Sequence, residues 1–166
     1  MSRIRVTGVT ERRRVLFRSN EPHSRYRGDG AQTLVDGKYG SVSFTAGGWL
    51  GFEGKDLDAV IDLGEAVEVG SVAVRTLVQP GDWIFGPTEI SVGLSDDGKT
   101  FRTVASEKYP VAGRNASEIV ENRFDFTPEK TRWVKVVGKC LPAVPSWETR
   151  ANGAPAFLFV DEIMVD

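Results

Sequence analysis

The sequence predicts an all-β chain, an antiparallel jelly-roll β-sandwich, on three observations. Apolar and polar residues alternate with a period of two in segment after segment. Gly- and Pro-rich turns separate those segments, and only "NASEIVEN" hints at a helical turn. No internal repeat or linker-like stretch interrupts the pattern, so residues 1–166 are expected to form one domain, large enough to bury one core.

"ERRRVLFR" (Glu11 to Arg18) reads as an edge strand with charged flanks. In "VGSVAVRTLV", Val72, Val74 and Val78 share one face while Ser71 and Arg75 take the other. "TEISVGLSDDGKTFRTVA" alternates Ile90, Val92 and Leu94 with Glu89, Ser91 and Ser95. It then turns at Asp97-Gly98, a strong hairpin signal, and Phe101 and Thr103 begin the return strand. In "NRFDFTPEKTRWVKVVGK", Phe124 and Phe126 face one way before a turn at "TPEK", and Val134 and Val136 follow. Trp133, with apolar neighbours on that strand, is assigned to the core. "AFLFVDEIMVD" is a final strand inside a sheet.

Composition excludes several functions. Lys and Arg total 21 against 23 Asp and Glu, which leaves no electrostatic footprint for nucleic acid or an anionic membrane. Nothing approaches the ~18 apolar residues of a membrane span, and the first residues lack the apolar centre of a signal peptide. Cys140 is the lone cysteine, read as a small buried residue. His23 is the lone histidine, so a Ser or Cys nucleophile has little to activate it. Asp58 and Asp62 lie on one face of a strand, not across a cleft as glycoside hydrolysis requires. The chain reads as non-catalytic. Arg27-Gly28-Asp29 is a flexible turn, and the Asn115 sequon matters only in a glycosylating cell.

Five segments carry a resemblance: "LVDGKYGS" (34–41), "WLGFEGKDLDAVIDLG" (49–64), "GDWIFGPTEISVGLSDDGKTF" (81–101), "RWVKVVGK" (132–139) and "FLFVDEIMV" (157–165). In this order and spacing they resemble the discoidin, or coagulation-factor type C, domain, a galactose-binding-like sandwich that includes carbohydrate-binding module family 32. The flavour is similar to the C-terminal domain of bacterial family-20 β-N-acetylhexosaminidases, or chitobiases. The resemblance runs from about Tyr26 to the end, and residues 1–25 match weakly.

The resemblance implies a structural calcium where the first loop meets the last strand. It would be held by the Asp36 side chain, oxygens near Lys38 and Ser41, and Glu162; two carboxylates and a carbonyl-rich loop suit a cation that takes six to eight oxygens. Asp36 could instead make only an Asx-turn. A second site follows from the residues. Sugar rings stack their C–H faces on exposed aromatics and hydrogen-bond to polar neighbours. "QPGDWIFGP" offers Trp83 and Phe85 beside Asp82, "AGGWLGFEG" offers Trp49 beside Glu53, and "PAVPSWETRANGAP" offers Trp147. Loops of a sandwich cluster at its ends, so these can share one. Trp49 and Phe85 could alternatively plug that end.

The expected function is a non-catalytic carbohydrate-binding accessory domain of an exported glycosidase of the chitobiase or hexosaminidase kind, bacterial, monomeric, and periplasmic, cell-surface or secreted. Its ligands would be terminal sugars such as galactose or an N-acetylhexosamine. The alternative is a structural or protein-interaction domain packed on its parent catalytic domain, without sugar binding. Phospholipid binding would want a basic ring around an apolar spike, and "PGDWIFGP" carries Asp82 instead.

Overall fold

The computed structural model describes residues 13–166. Its strands are β1 (Arg14–Phe17), β2 (Leu50–Glu53), β3 (Leu57–Val78), β4 (Glu89–Ser95), β5 (Arg102–Lys108), β6 (Glu118–Lys139) and β7 (Phe157–Val165). All pairings between these strands are antiparallel, along the path β2-β7-β3-β6-β4-β5 with β1 on β3.

β3 and β6, 22 residues each, run side by side and build both layers. The first half of β3 and the second half of β6 lie between β1 and the β4–β5 hairpin. The second half of β3 pairs with β7, which carries β2 on its other edge. The pair changes layer across register shifts between Asp62 and Val67 and between Val69 and Ser71. Bulges bend a strand by leaving an extra residue unpaired, and they sit where the sandwich turns its corner.

The period of two explains the core. Leu57, Ala59 and Ile61 of β3 are fully covered, as are Ile90, Val92 and Leu94 of β4 and Val134 and Val136 of β6. Leu50, Leu158 and Val160 close it from the other layer. β7 is central, as its apolar run requires. The Asp97-Gly98 turn forms: the Asp97 carboxylate accepts the N–H groups of Lys99 and Thr100 at 2.8 and 2.9 Å. Those donors hold its pKa down to about 2.

Three expectations are corrected. "NASEIVEN" contributes to β6, where Ile119 pairs with Leu77 and Val120 with Thr76; cross-strand pairing overrides a weak local preference. "TPEK" is not a turn between strands, because β6 runs unbroken to Lys139. Pro128 sits where the β3 register slips, a place that needs no ladder N–H. Trp133 is not core: it alternates with buried Val134 and lies partly exposed on the outer face. Glu11, Arg12 and the rest of residues 1–12, whose start was read as lacking a signal peptide's apolar centre, lie outside the described residues. Among the described residues no helix is long and apolar enough to cross a membrane.

Candidate functional site

Because β3 and β6 fold over together, both ends of each reach the same end of the sandwich. Leu57 pairs with Gly138 there, and Val78 with Glu118. The connections 54–56, 79–88, 109–117 and 140–156 therefore gather at that end. Backbone bonds stitch them: Gly54 N–H to Ala156 O at 2.7 Å, Thr88 N–H to Lys139 O at 2.9 Å, and Tyr109 N–H to Thr88 O at 2.9 Å.

Pro80–Asp82 make one 3₁₀ turn that ends at Trp83, whose backbone is left-handed at φ 62°, ψ 23°. That region costs a non-Gly residue roughly 1–2 kcal/mol. The position is held on both sides, Trp83 N–H donating to Pro80 O at 3.0 Å and Trp83 O accepting Phe157 N–H at 2.9 Å. The strain fixes where this indole leaves the chain. Phe85, by contrast, points inward and is 2% exposed, packed with Val144, Ala151 and Ala156. Trp83 and Trp147, both partly exposed, pack over that cluster. The Phe85 and Trp147 ring centroids are 6.1 Å apart at 55°. Phe85 is thus the floor of an aromatic surface that the two tryptophans form.

Polar groups rim it. The Arg114 guanidinium lies 5.2 Å from the Trp147 ring centroid and donates to Trp147 O at 2.7 Å. Arg150 pairs with Glu148 at 3.0 Å, which holds the Glu148 carboxyl below its usual range. Exposed Asp82 faces Arg150 electrostatically and helps keep it protonated, after Glu148. Sequence reading missed Arg114, Glu148 and Arg150. Arg114 follows Gly113 in the 109–117 connection with no tryptophan near it in sequence, and only the fold brings it onto Trp147.

Trp49 and Glu53 stand apart from this cluster. Trp49 is 2% exposed and joins Leu77, Ile84 and Phe159. Its indole N–H donates to Ser41 O at 2.8 Å, and a Cβ on Gly40 would come within 2.3 Å of Nε1. That packing leaves no ring face for a ligand. Glu53 is exposed and lies 3.4 Å from His23, beside Tyr26 and Phe157.

The loop implied for calcium meets β7, and protein donors reach several of the oxygens named there. Asp36 Oδ1 accepts Lys38 N–H at 2.8 Å, the Asx-turn geometry. The buried Glu162 carboxylate accepts Gly37 N–H at 3.1 and 3.2 Å. Ser41 O accepts the Trp49 indole, and Gly40 O accepts Arg75 Nη2 at 3.3 Å. Next to Glu162, fully buried Asp161 accepts Gly40 N–H at 2.7 Å and binds Arg75 at 3.0 Å. So arranged, these oxygens each accept a hydrogen bond from within the protein, which ties the loop to β3 and β7. Among the described residues no three acidic, His or Cys side chains converge as a metal cluster.

The chain belongs to the F5/8 type C domain family, whose model matches residues 17–153. Solved structures with the same fold include the following three. The module CpGH89CBM32-5 from Clostridium perfringens, in complex with GalNAc-β-1,3-galactose, superposes with TM-score 0.62 at 17% identity, covering 95% of this chain and 96% of that one. The family 32 module of NanJ from C. perfringens, in complex with galactose, gives 0.60 at 12%, covering 95% of each. Chitosan-binding module 1 from Paenibacillus sp. IK-5 gives 0.59 at 16%, covering 93% and 95%. No curated protein matches the chain.

Proposed function

We propose that this domain is a non-catalytic glycan-recognition module that holds an exported glycosidase, of the hexosaminidase or chitobiase kind, near its substrate. The observation that carries the reading is the joint aromatic surface. Trp83 and Trp147 come from loops more than sixty residues apart in sequence, yet both pack on the cluster that contains Phe85, with Arg114 and Asp82 at the rim. Aromatic faces for C–H groups beside charged donors and acceptors are what a pyranose requires. The sugars bound by the neighbouring modules make galactose and N-acetylgalactosamine the first ligands to try.

A glycan array probed with the isolated protein tests this. Binding to Gal- or HexNAc-terminated glycans that disappears in Trp147→Ala and Trp83→Ala is the expected result. A blank array on folded protein overturns it in favour of a domain that packs on its parent enzyme. We propose further that the Asp36–Ser41 loop is held by Arg75 and by its own N–H groups, in place of a resident calcium ion.

A further inference from the structure

The outer face of the β1-β3-β6 layer carries a groove of about 290 Å³, lined by Arg14, Leu16, Arg18, Val60, Asp62 and Trp133, with Gly98 at its end. Strand register explains the company: Arg14 pairs with Asp62 and Asp62 with Trp133, while Leu16 pairs with Val60 one step along. Alternation then points all of them away from the core. The groove lies on a sheet face, separate from the loop cluster of Trp83 and Trp147. Its volume is near the lower end of the ~300–1,000 Å³ of small-molecule sites, enough for roughly one or two sugar rings.

Its walls are fixed and its charge is unbalanced. Trp133 is backed by Gly98, where a Cβ would lie 2.9 Å from Cε2, and is stacked by the Arg132 guanidinium at 4.6 Å. Asp62, the one carboxylate in the lining, is already bound by Arg132 Nε at 2.9 Å and held in its ionised form by that bond first. Neither Arg14 nor Arg18 makes an ion pair among the described residues: Arg14 acts on Asp62 only through its field, behind Arg132, and the Arg18 guanidinium lies 5.9 Å from the Phe101 ring centroid. Four residues of extended chain set them about 13 Å apart. Between them Leu16 is 71% exposed, a large apolar side chain left facing solvent.

We infer that this groove is a second binding site, for an acidic saccharide unit, its carboxylate or sulfate taken by Arg14 or Arg18 and its apolar ring face laid on Leu16 and the edge of Trp133. Arginine forks match planar oxyanions, and the apolar strip suits a pyranose better than a bare phosphate. A chain with 23 acidic and 21 basic residues does not suit a long polyanion. The inference rests on reading the domain as a glycan module.

The test is calorimetry and ¹H–¹⁵N NMR on the full chain with three probes: trigalacturonic acid for the carboxylate, a sulfated heparin disaccharide for the sulfate, and galactose as the neutral control. At least one acidic probe is expected to bind and to shift the Trp133 indole resonance, leaving those of Trp83 and Trp147 unmoved. Arg14→Gln with Arg18→Gln should weaken it at least tenfold without lowering Tm, both residues being exposed. Higher salt should weaken it too. Acidic binding that vanishes in Trp147→Ala and survives the arginine changes places the ligand at the loop end and overturns the inference. No acidic binding beside intact galactose binding overturns it and leaves the proposed function standing. Silence with all three probes overturns it as well, while the glycan array decides the proposed function separately.

Discussion

The Arg75 guanidinium meets the Asp161 carboxylate at 3.0 Å beneath the Asp36–Ser41 loop, with Asp161 fully buried and Arg75 mostly so. Arg75 also stacks on Tyr39 at 4.3 Å and binds Gly40 O, so one cation ties β3, β7 and the loop together. Burial raises the Asp161 pKa even so, with the Arg75 bond opposing it. The pair is a point of specificity as much as of strength.

Arg75→Met is expected to cost about 3–5 kcal/mol at neutral pH, because it strands a buried carboxylate. The sign with pH follows from the raised pKa. The folded protein holds the Asp161 proton more firmly than the unfolded chain, so acid favours the fold and rising pH through the raised pKa disfavours it. Without Arg75 that shift grows. Urea unfolding should therefore show a smaller loss at about pH 4 than at about pH 7. An equal loss at both would mean that the charge is not the cause.

Calcium should leave Tm unchanged in wild-type protein, and so should a chelator. A resident ion would stabilise in proportion to the logarithm of its concentration. A Tm that rises with added calcium, and loses the response in Glu162→Gln, would put the metal back in the loop.

The three loop tryptophans should separate by stability. Trp49→Ala removes a buried, hydrogen-bonded ring and is expected to cost about 3–5 kcal/mol. Trp147→Ala should cost about 1–2 kcal/mol, the residue being partly exposed where Trp49 is buried. Trp83→Gly loses packing but relieves a left-handed backbone, and should stay within about 1 kcal/mol of wild type. Denaturant titration of the three checks the order; Trp147→Ala failing to fold would make that ring core.

The Cys140 thiol is 7% exposed, contacts the carbonyls of Phe52, Leu141 and Ala156, and has its pKa pushed up to about 11, chiefly by burial. A thiol reagent at about pH 8 should leave folded protein unlabelled and label it at once in denaturant. Fast labelling of folded protein would show that the end of the core opens.

Much of the sandwich was legible in local pattern. Ile90, Val92 and Leu94 against their polar neighbours, and Asp97-Gly98 between two such runs, specify a hairpin wherever they occur, since side-chain period and turn geometry are properties of the chain itself. The same holds for the buried run of β7. The sequence also offered three aromatic loops that could share one end of a sandwich; the fold joins Trp83 and Trp147 and sets Trp49 apart.

Tertiary structure alone decided which rings face out. Trp49 follows Gly48 and Trp83 lies two residues after Gly81, but Trp49 finds Ser41 O and the bare face of Gly40, while Trp83 is turned outward by a backbone that Phe157 holds in place. Trp133 went the other way: its apolar neighbours suggested the core, and its parity with Val134 put it outside. Arg114 reaches Trp147 and Arg75 reaches Asp161 across 33 and 86 residues. Burial and pairing are relations between segments distant in sequence, and a local pattern carries no record of what will lie across from it.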